Sequence, residues 1–192
     1  MRYNFTLEPA QLELPGQLHR GEPAAVNLTQ ATDLGAVYRL DEVRAIAEIA
    51  KRRGLRLHMD GARFANAVAR LGCSPAELTW RSGIDILSFG ATKNGGALCD
   101  AIVVFTPEFA DRLAVQLRRA GQVWSKMRFA SAQLIAYVED GLWLKLARAS
   151  NAIAASVSAN ASAPTRPSSP ATGTSLRPPP KNPAAFASEV LM

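Results

Sequence analysis

Between residues 24 and 120, short apolar runs alternate with stretches of helical periodicity, and that alternation confines the chain to a layered α/β fold. Ala24-Ala25-Val26-Asn27-Leu28-Thr29 reads as a strand, and the Gly35 region after it as a turn. Asp41 is expected to cap a helix in which Val43, Ile46, Ala47 and Ala50 share one face. Arg44 and Lys51 lie on the other, and Gly54 stands where a C-terminal cap belongs. Leu55 to Met59 forms a second strand that ends at Asp60, and Ala62 to Leu71 a second helix closed by Gly72. Ile84 to Phe89 and Ala101 to Phe105 follow as strands, apolar runs that suit a sheet covered on both faces. Pro107 opens a helix toward Ala120, and Met127 to Tyr137 and Leu142 to Ala155 read as further helices. The pattern predicts a largely parallel sheet.

Composition sets the outer limits. A chain of 192 residues with 48% apolar and 20% charged residues supports one packed domain plus a remainder. Seven of the twelve prolines fall between Pro164 and Pro183, in a stretch rich in alanine, serine and threonine that can bury no core. The expected organisation is an irregular segment at 1–23, a folded domain at 24–155 and a disordered tail at 156–192. Met1 to Thr6 is not followed by an apolar signal-peptide core, and no apolar run reaches the roughly 18 residues of a membrane span. Cys73 and Cys99 lack metal-ligand or paired-thiol spacing, so reduced thiols and a cytoplasmic setting are expected, with no metal. The net charge of +6 is spread over residues such as Arg52, Arg53, Arg56, Arg118 and Arg119 without interleaved aromatics. Solvated faces account for it better than a nucleic-acid surface.

Two residues stand where α/β sheets bind ligands, outside the carboxyl ends of strands. Asp60 ends one predicted strand. Lys93 lies just past the next, within Ser88-Phe89-Gly90-Ala91-Thr92-Lys93-Asn94-Gly95-Gly96, where small neighbours let a ligand approach closely. Separately, each has an ordinary explanation: Lys93 as a surface lysine in a glycine-rich turn, Asp60 as a cap for the following helix. Together they match one known pairing, a Schiff-base lysine with a carboxylate that keeps the pyridine nitrogen of pyridoxal phosphate protonated.

Leu57-His58-Met59-Asp60-Gly61-Ala62-Arg63-Phe64-Ala65-Asn66-Ala67 and Asp85-Ile86-Leu87-Ser88-Phe89-Gly90-Ala91-Thr92-Lys93-Asn94-Gly95 carry this further. They resemble the low-specificity L-threonine aldolases, within the β-eliminating lyases of fold-type I. The resemblance runs from about Val26 to Asn151. It includes Thr29-Gln30-Ala31-Thr32, Ser125-Lys126-Met127-Arg128-Phe129 and Ala132-Gln133-Leu134. It implies a partial fold-type I large domain with a mainly parallel sheet and pyridoxal 5'-phosphate as cofactor. Lys93 would be the catalytic, covalent lysine and Asp60 the partner of the ring nitrogen. Arg63 matches the family arginine near the cofactor's phenolic oxygen and the substrate carboxylate, which a planar guanidinium can bind bidentately. Arg128 aligns with a further cofactor-proximal arginine, the alternative being a surface role. Thr92 adjoins the lysine as a candidate contact, although turn stabilisation is the simpler account for Ser88, Thr92 and Asn94. His58 should share a face with Asp60 and is at least as well explained as a hydrogen-bonded histidine of the sheet.

The activity so implied is retro-aldol cleavage of L-threonine or L-allo-threonine to glycine and acetaldehyde, by a homo-oligomer whose sites are shared between subunits. Family members also carry a preceding glycine-rich phosphate-binding turn, a histidine that stacks on the cofactor, and a small C-terminal domain with its own arginine. None of these is recognisable here, so an internal slice of an aldolase is expected, with a reading-frame change after about Ala155. An inactive remnant that pairs with a complete subunit is the competing expectation, and a basic binding module a more distant one.

Overall fold

The structure, a computed structural model, describes residues 23–161. The chain divides into two units, Met1–Val157, which carries the sheet and its helices, and Ser158–Met192, of which only the last turn of the final helix is described. Four strands, β1 (Ala25–Thr29), β2 (Arg56–Gly61), β3 (Ile86–Phe89) and β4 (Ala101–Val104), form one sheet in that order. The β1–β2 and β2–β3 pairs are parallel, and β4 runs antiparallel to β3. Between them lie α1 (Leu40–Arg52), α2 (Phe64–Leu71) and α3 (Pro75–Leu78). After β4 come α4 (Ala110–Arg119), α5 (Arg128–Val138) and α6 (Leu142–Ala161). No described helix is long and apolar enough to cross a membrane.

Strand order follows chain order without reversal, so successive right-handed crossovers place their helices on one face of the sheet. Val26, Leu28, Leu57, Met59 and Leu87 point to that face and are buried. There they join Val43 and Ile46 of α1, Phe64 and Val68 of α2, Leu78 of α3, Tyr137 of α5 and Trp143 of α6 in one core. Their alternating neighbours Asn27, His58, Asp60 and Ser88 occupy the other face and stay partly or fully accessible. This corrects the expectation of a sheet covered on both sides. β1 and β2 alternate apolar with polar residues, the signature of a half-buried strand. Even in the apolar β4, Ile102 is 44% exposed.

Element boundaries shift for local reasons. Asp41 does not cap α1. Arg39 holds the cap position, its N–H donates to the Glu42 carboxylate at 2.7 Å, and its guanidinium pairs with Asp41, so the helix starts earlier. Ala62 and Arg63 form a turn before α2. α3 was not anticipated, although Ser74-Pro75-Ala76-Glu77 spells a capping box, with Ser74 Oγ accepting from the Glu77 N–H at 3.2 Å. Pro107–Phe109 makes a short helical turn ahead of α4. α6 continues to Ala161, past the predicted end at Ala155. Residues 1–22 and 162–192, hence most of the expected N-terminal segment and tail, lie outside the described residues.

An aromatic cluster locks the later helices to the end of β3. The Phe64 ring is parallel to that of Trp143, with centroids 6.2 Å apart, and meets Phe89 edge-on at 6.1 Å. Phe89 in turn meets Trp143 at 5.5 Å and Tyr137 at 5.9 Å. Phe64 is 1% exposed and sits at the junction. Phe64→Ala is therefore expected to cost about 3–5 kcal/mol in urea unfolding. A loss under about 1 kcal/mol would show that the cluster does not hold α5 and α6 to the sheet.

Candidate active site

The site begins with two strand ends in contact. Asp60 pairs in register with Thr29 of β1 and Ser88 of β3. Its Oδ1 accepts the Ala62 N–H at 3.0 Å and so turns the chain as it leaves β2. One residue further, Gly61 O accepts the Gly90 N–H at 3.0 Å. A Cβ on Gly90 would lie 2.6 Å from Ala62 Cα, and one on Gly61 2.6 Å from Ser88 O, so both positions need glycine for close backbone approach. The segment leaving Asp60 and the segment leading to Lys93 thus touch through their main chains.

The loop of residues 90–100 is then fastened from three sides. Asp100 Oδ1 accepts the N–H groups of Ala91 and Thr92 at 2.7 and 2.9 Å. Asn94 is buried and donates from Nδ2 to Tyr137 Oη at 2.6 Å and to Trp143 O at 2.8 Å. Gln133 Oε1, on α5, accepts from Ala97 and Leu98 N–H at 2.9 and 3.1 Å. Gly95, at φ +106°, makes the left-handed turn that lets the loop fold back. Burial pushes the Tyr137 phenol above its ordinary pKa, which keeps it a neutral hydrogen-bonding anchor. Lys93 lies in the short helical turn Thr92–Asn94 and is exposed. It is the one polar side chain of the loop that keeps no partner among the described residues.

Arg63 precedes the first residue of α2 and reaches back through Nη1 to Asp33, 2.9 Å away in the loop after β1. That loop is itself set by Gln30. Its fully buried amide donates to Tyr38 O at 2.9 Å and accepts from Tyr38 N–H at 3.1 Å. Asp60, Arg63 and Lys93 therefore leave the same end of the sheet. Thr92 differs: its backbone N–H is bound by Asp100, and its hydroxyl is turned to the same carboxylate at 3.4 Å. Arg128 opens α5, exposed, and is linked to the lysine loop only through the helix that also carries Gln133 and Tyr137. His58 bridges neighbouring strands, with Nδ1 against Asn27 Oδ1 at 2.5 Å and Nε2 against Ser88 Oγ at 2.9 Å. Asn94, expected to stabilise its own turn, instead ties the loop to α5 and α6 through Tyr137 and Trp143. Asp100, Gln133 and Gln30 were not singled out for the contacts they make. A carboxylate shortly after a glycine-rich turn was the available signal for Asp100, whereas the reach of Gln133 depends on how α5 packs. Among the described residues, no group of three or more His, Cys, Asp or Glu is arranged to hold a metal ion.

Comparison with known proteins places the chain among relatives. A low specificity L-threonine aldolase of Pseudomonas sp. (strain NCIMB 10558) is 52% identical over 134 residues, 70% of this chain and 39% of the relative. The protein of the same name from Pseudomonas aeruginosa is 50% identical over the same shares. The chain therefore spans about two fifths of the length of these curated relatives. Among solved structures, the threonine aldolase of Leishmania major superposes with a TM-score of 0.71 at 26% identity, over 80% of this chain and 46% of that one. The model of the beta-eliminating lyase family matches residues 4–176, well beyond the Val26 to Asn151 stretch that carries the motifs. By that match the chain belongs to the beta-eliminating lyase family.

Proposed function

We propose that this chain carries the covalent-lysine centre of a pyridoxal 5'-phosphate-dependent aldolase, a carbon–carbon lyase acting on β-hydroxy amino acids. L-threonine and L-allo-threonine, cleaved to glycine and acetaldehyde, are the proposed substrates. One observation carries the reading: an unpartnered primary amine, on a loop fixed at three points, leaves the same sheet end as a strand-terminal carboxylate. The donor set fits the cofactor's carbonyl, which needs an amine, and its ring nitrogen, which needs an anion. The contact between Gly61 and Gly90 leaves both chain segments free of side-chain bulk where they meet.

When bound, such a cofactor supplies an electron sink for the bond being broken. The chain's own residues do the rest. Lys93 would hold the cofactor's carbonyl carbon, and the anchors on its loop fix the backbone that bears the amine before binding, which limits the ordering cost. Asp60 would supply the anion facing the ring nitrogen, which favours that nitrogen's protonated form. Arg63 uses only Nη1 toward the exposed Asp33, which leaves guanidinium N–H groups to orient a substrate carboxylate. Thr92 belongs to the loop that carries the amine, and Arg128 to the helix that braces that loop. We assign them to cofactor binding on the family resemblance, Thr92 through the backbone-anchored turn and Arg128 through its unpartnered charge.

The proposal extends to organisation. Residues 24–155 form part of the large domain, and α6 carries the described chain on to Ala161. Assembly into a homo-oligomer is supported by Phe129, Ile135, Val138, Ile153 and Val157, all more than half exposed or nearly so on α5 and α6. Cytoplasmic placement is supported by Cys73 and Cys99, both free thiols.

The test is covalent capture. Purified chain mixed with pyridoxal 5'-phosphate and reduced with borohydride should carry the label on Lys93, as read by peptide mass mapping, and Lys93→Ala should lose it. Labelling of other lysines at the same yield in both proteins would falsify the assignment. Gly90→Ala forces a methyl into the Ala62 backbone and should lower stability by about 1–3 kcal/mol together with the labelling yield. A fully stable Gly90→Ala protein with undiminished labelling would show that the contact of the strand ends does not matter to the site.

A further inference from the structure

His58 has no part in the chemistry above, yet it is the most constrained titratable group near it. It lies two residues before Asp60 on β2, on the same face of the sheet. Its ring spans three strands, bound to Asn27 Oδ1 on β1 and to Ser88 Oγ on β3. Ser88 is also the register partner of Asp60. Asn27 Oδ1 can only accept, so Nδ1 carries a hydrogen, and in the neutral ring Nε2 accepts from the Ser88 hydroxyl. A proton arriving from solvent would sit on Nε2, and the Ser88 hydroxyl would rotate to accept it. The clamp therefore accommodates both charge states without moving the ring.

Few charges surround this ring. On β2 the nearest along the same face are Asp60 and Arg56, the latter paired with Asp85 at 3.5 Å. Beyond the strand, Arg63 is paired with Asp33. β1 and β3 present the uncharged Asn27, Thr29, Ile86 and Ser88. Burial lowers the proton affinity of His58 below the ordinary histidine value, and the charge of Asp60 acts against that.

We infer that His58 is a positioning residue for Asp60: clamped and neutral, it leaves the carboxylate's charge to a cationic ring nitrogen, and protonated, it competes for that charge. The inference rests on the reading of Asp60 given above for its consequence, though the coupling itself does not need a cofactor. Coupling of this kind is reciprocal. A cation docked at Asp60 makes His58 harder to protonate, and protonating His58 weakens docking by the same factor.

Two experiments separate the coupling from the site reading. The chain has only two histidines, His19 and His58, so imidazole resonances can be assigned with a single variant. By NMR titration, His58 should protonate at lower pH in Asp60→Asn than in the parent, because the supporting negative charge is gone. An unchanged midpoint would overturn the inference. Next, pyridoxal 5'-phosphate affinity is measured against pH in the parent and in His58→Gln, whose amide can still bond to Asn27 and Ser88. The ratio of the two affinities should change by about fivefold as pH falls through the His58 midpoint, the lower end of ordinary site-to-site couplings. A constant ratio overturns the inference even if the cofactor binds well. If it binds neither protein at any pH, the site reading fails, and the NMR midpoint alone decides the coupling. Stability offers a further check with a defined sign. Since the folded-state affinity is depressed, the His58 contribution is complete above the ordinary histidine value and is lost as pH falls from there toward the folded-state midpoint. His58→Gln should flatten that acid limb in thermal unfolding.

Discussion

The main-chain contact between Gly61 and Gly90 is what the arrangement depends on. Parallel neighbours in a sheet diverge into separate loops once their ladder ends, and side chains normally hold those loops apart. Here one further N–H···O bond, 3.0 Å long, extends the pairing of β2 and β3 past the last strand residue. That bond requires two residues without Cβ atoms, since a methyl on either would meet backbone at 2.6 Å. The aspartate before the first glycine and the lysine after the second are thereby carried to one locality by backbone geometry. The lysine side chain is left uncommitted to holding the fold, and that of Asp60 makes one bond, to the Ala62 N–H.

A second layer of constraint acts on the lysine alone. Amines on long flexible stems lose considerable rotamer entropy on binding, and a mobile loop would add backbone entropy to that. Asp100, Asn94 and Gln133 remove most of the backbone share in advance by accepting or donating at points on both sides of the turn. The aromatic cluster of Phe64, Phe89, Tyr137 and Trp143 lies directly beneath, so the polar anchors and the core share Tyr137 and Trp143. Loss of core packing there would therefore loosen the loop.

Much of this was legible in the sequence, because period and punctuation are local signals. The strand and helix order, the caps at Gly54 and Gly72, and the two candidate residues past strand ends all follow from patterns a few residues long. Errors arose where the deciding contact was not local. Glu42 and Arg39 moved the start of α1 through a reciprocal bond. The open face of the sheet follows from Asn27, His58 and Asp60 standing among apolar neighbours, a pattern that the apolar runs of β3 and β4 obscured. Gln133 reaches Ala97 and Leu98 across more than thirty residues, a contact set by the packing of α5, which no spacing rule encodes. The motif resemblance singled out the candidate residues more sharply than any physical pattern did, but it said nothing of what holds the loop.

The anchors of the lysine loop share one property. Asp100, Gln133, Tyr137 and Trp143 all follow Lys93 in the chain, whereas the contacts of Asp60 are to Ala62 and to main chain before residue 91. Translation proceeds from the N-terminus, and segments organise as they emerge. On the ribosome, the acidic side of the candidate centre can assemble before the amine is fully braced, because Asp100 emerges soon after Lys93 but Gln133, Tyr137 and Trp143 only tens of residues later. The lysine is thus the last part of the candidate centre to acquire a fixed position, and it does so only once the helix bearing Trp143 has cleared the exit tunnel.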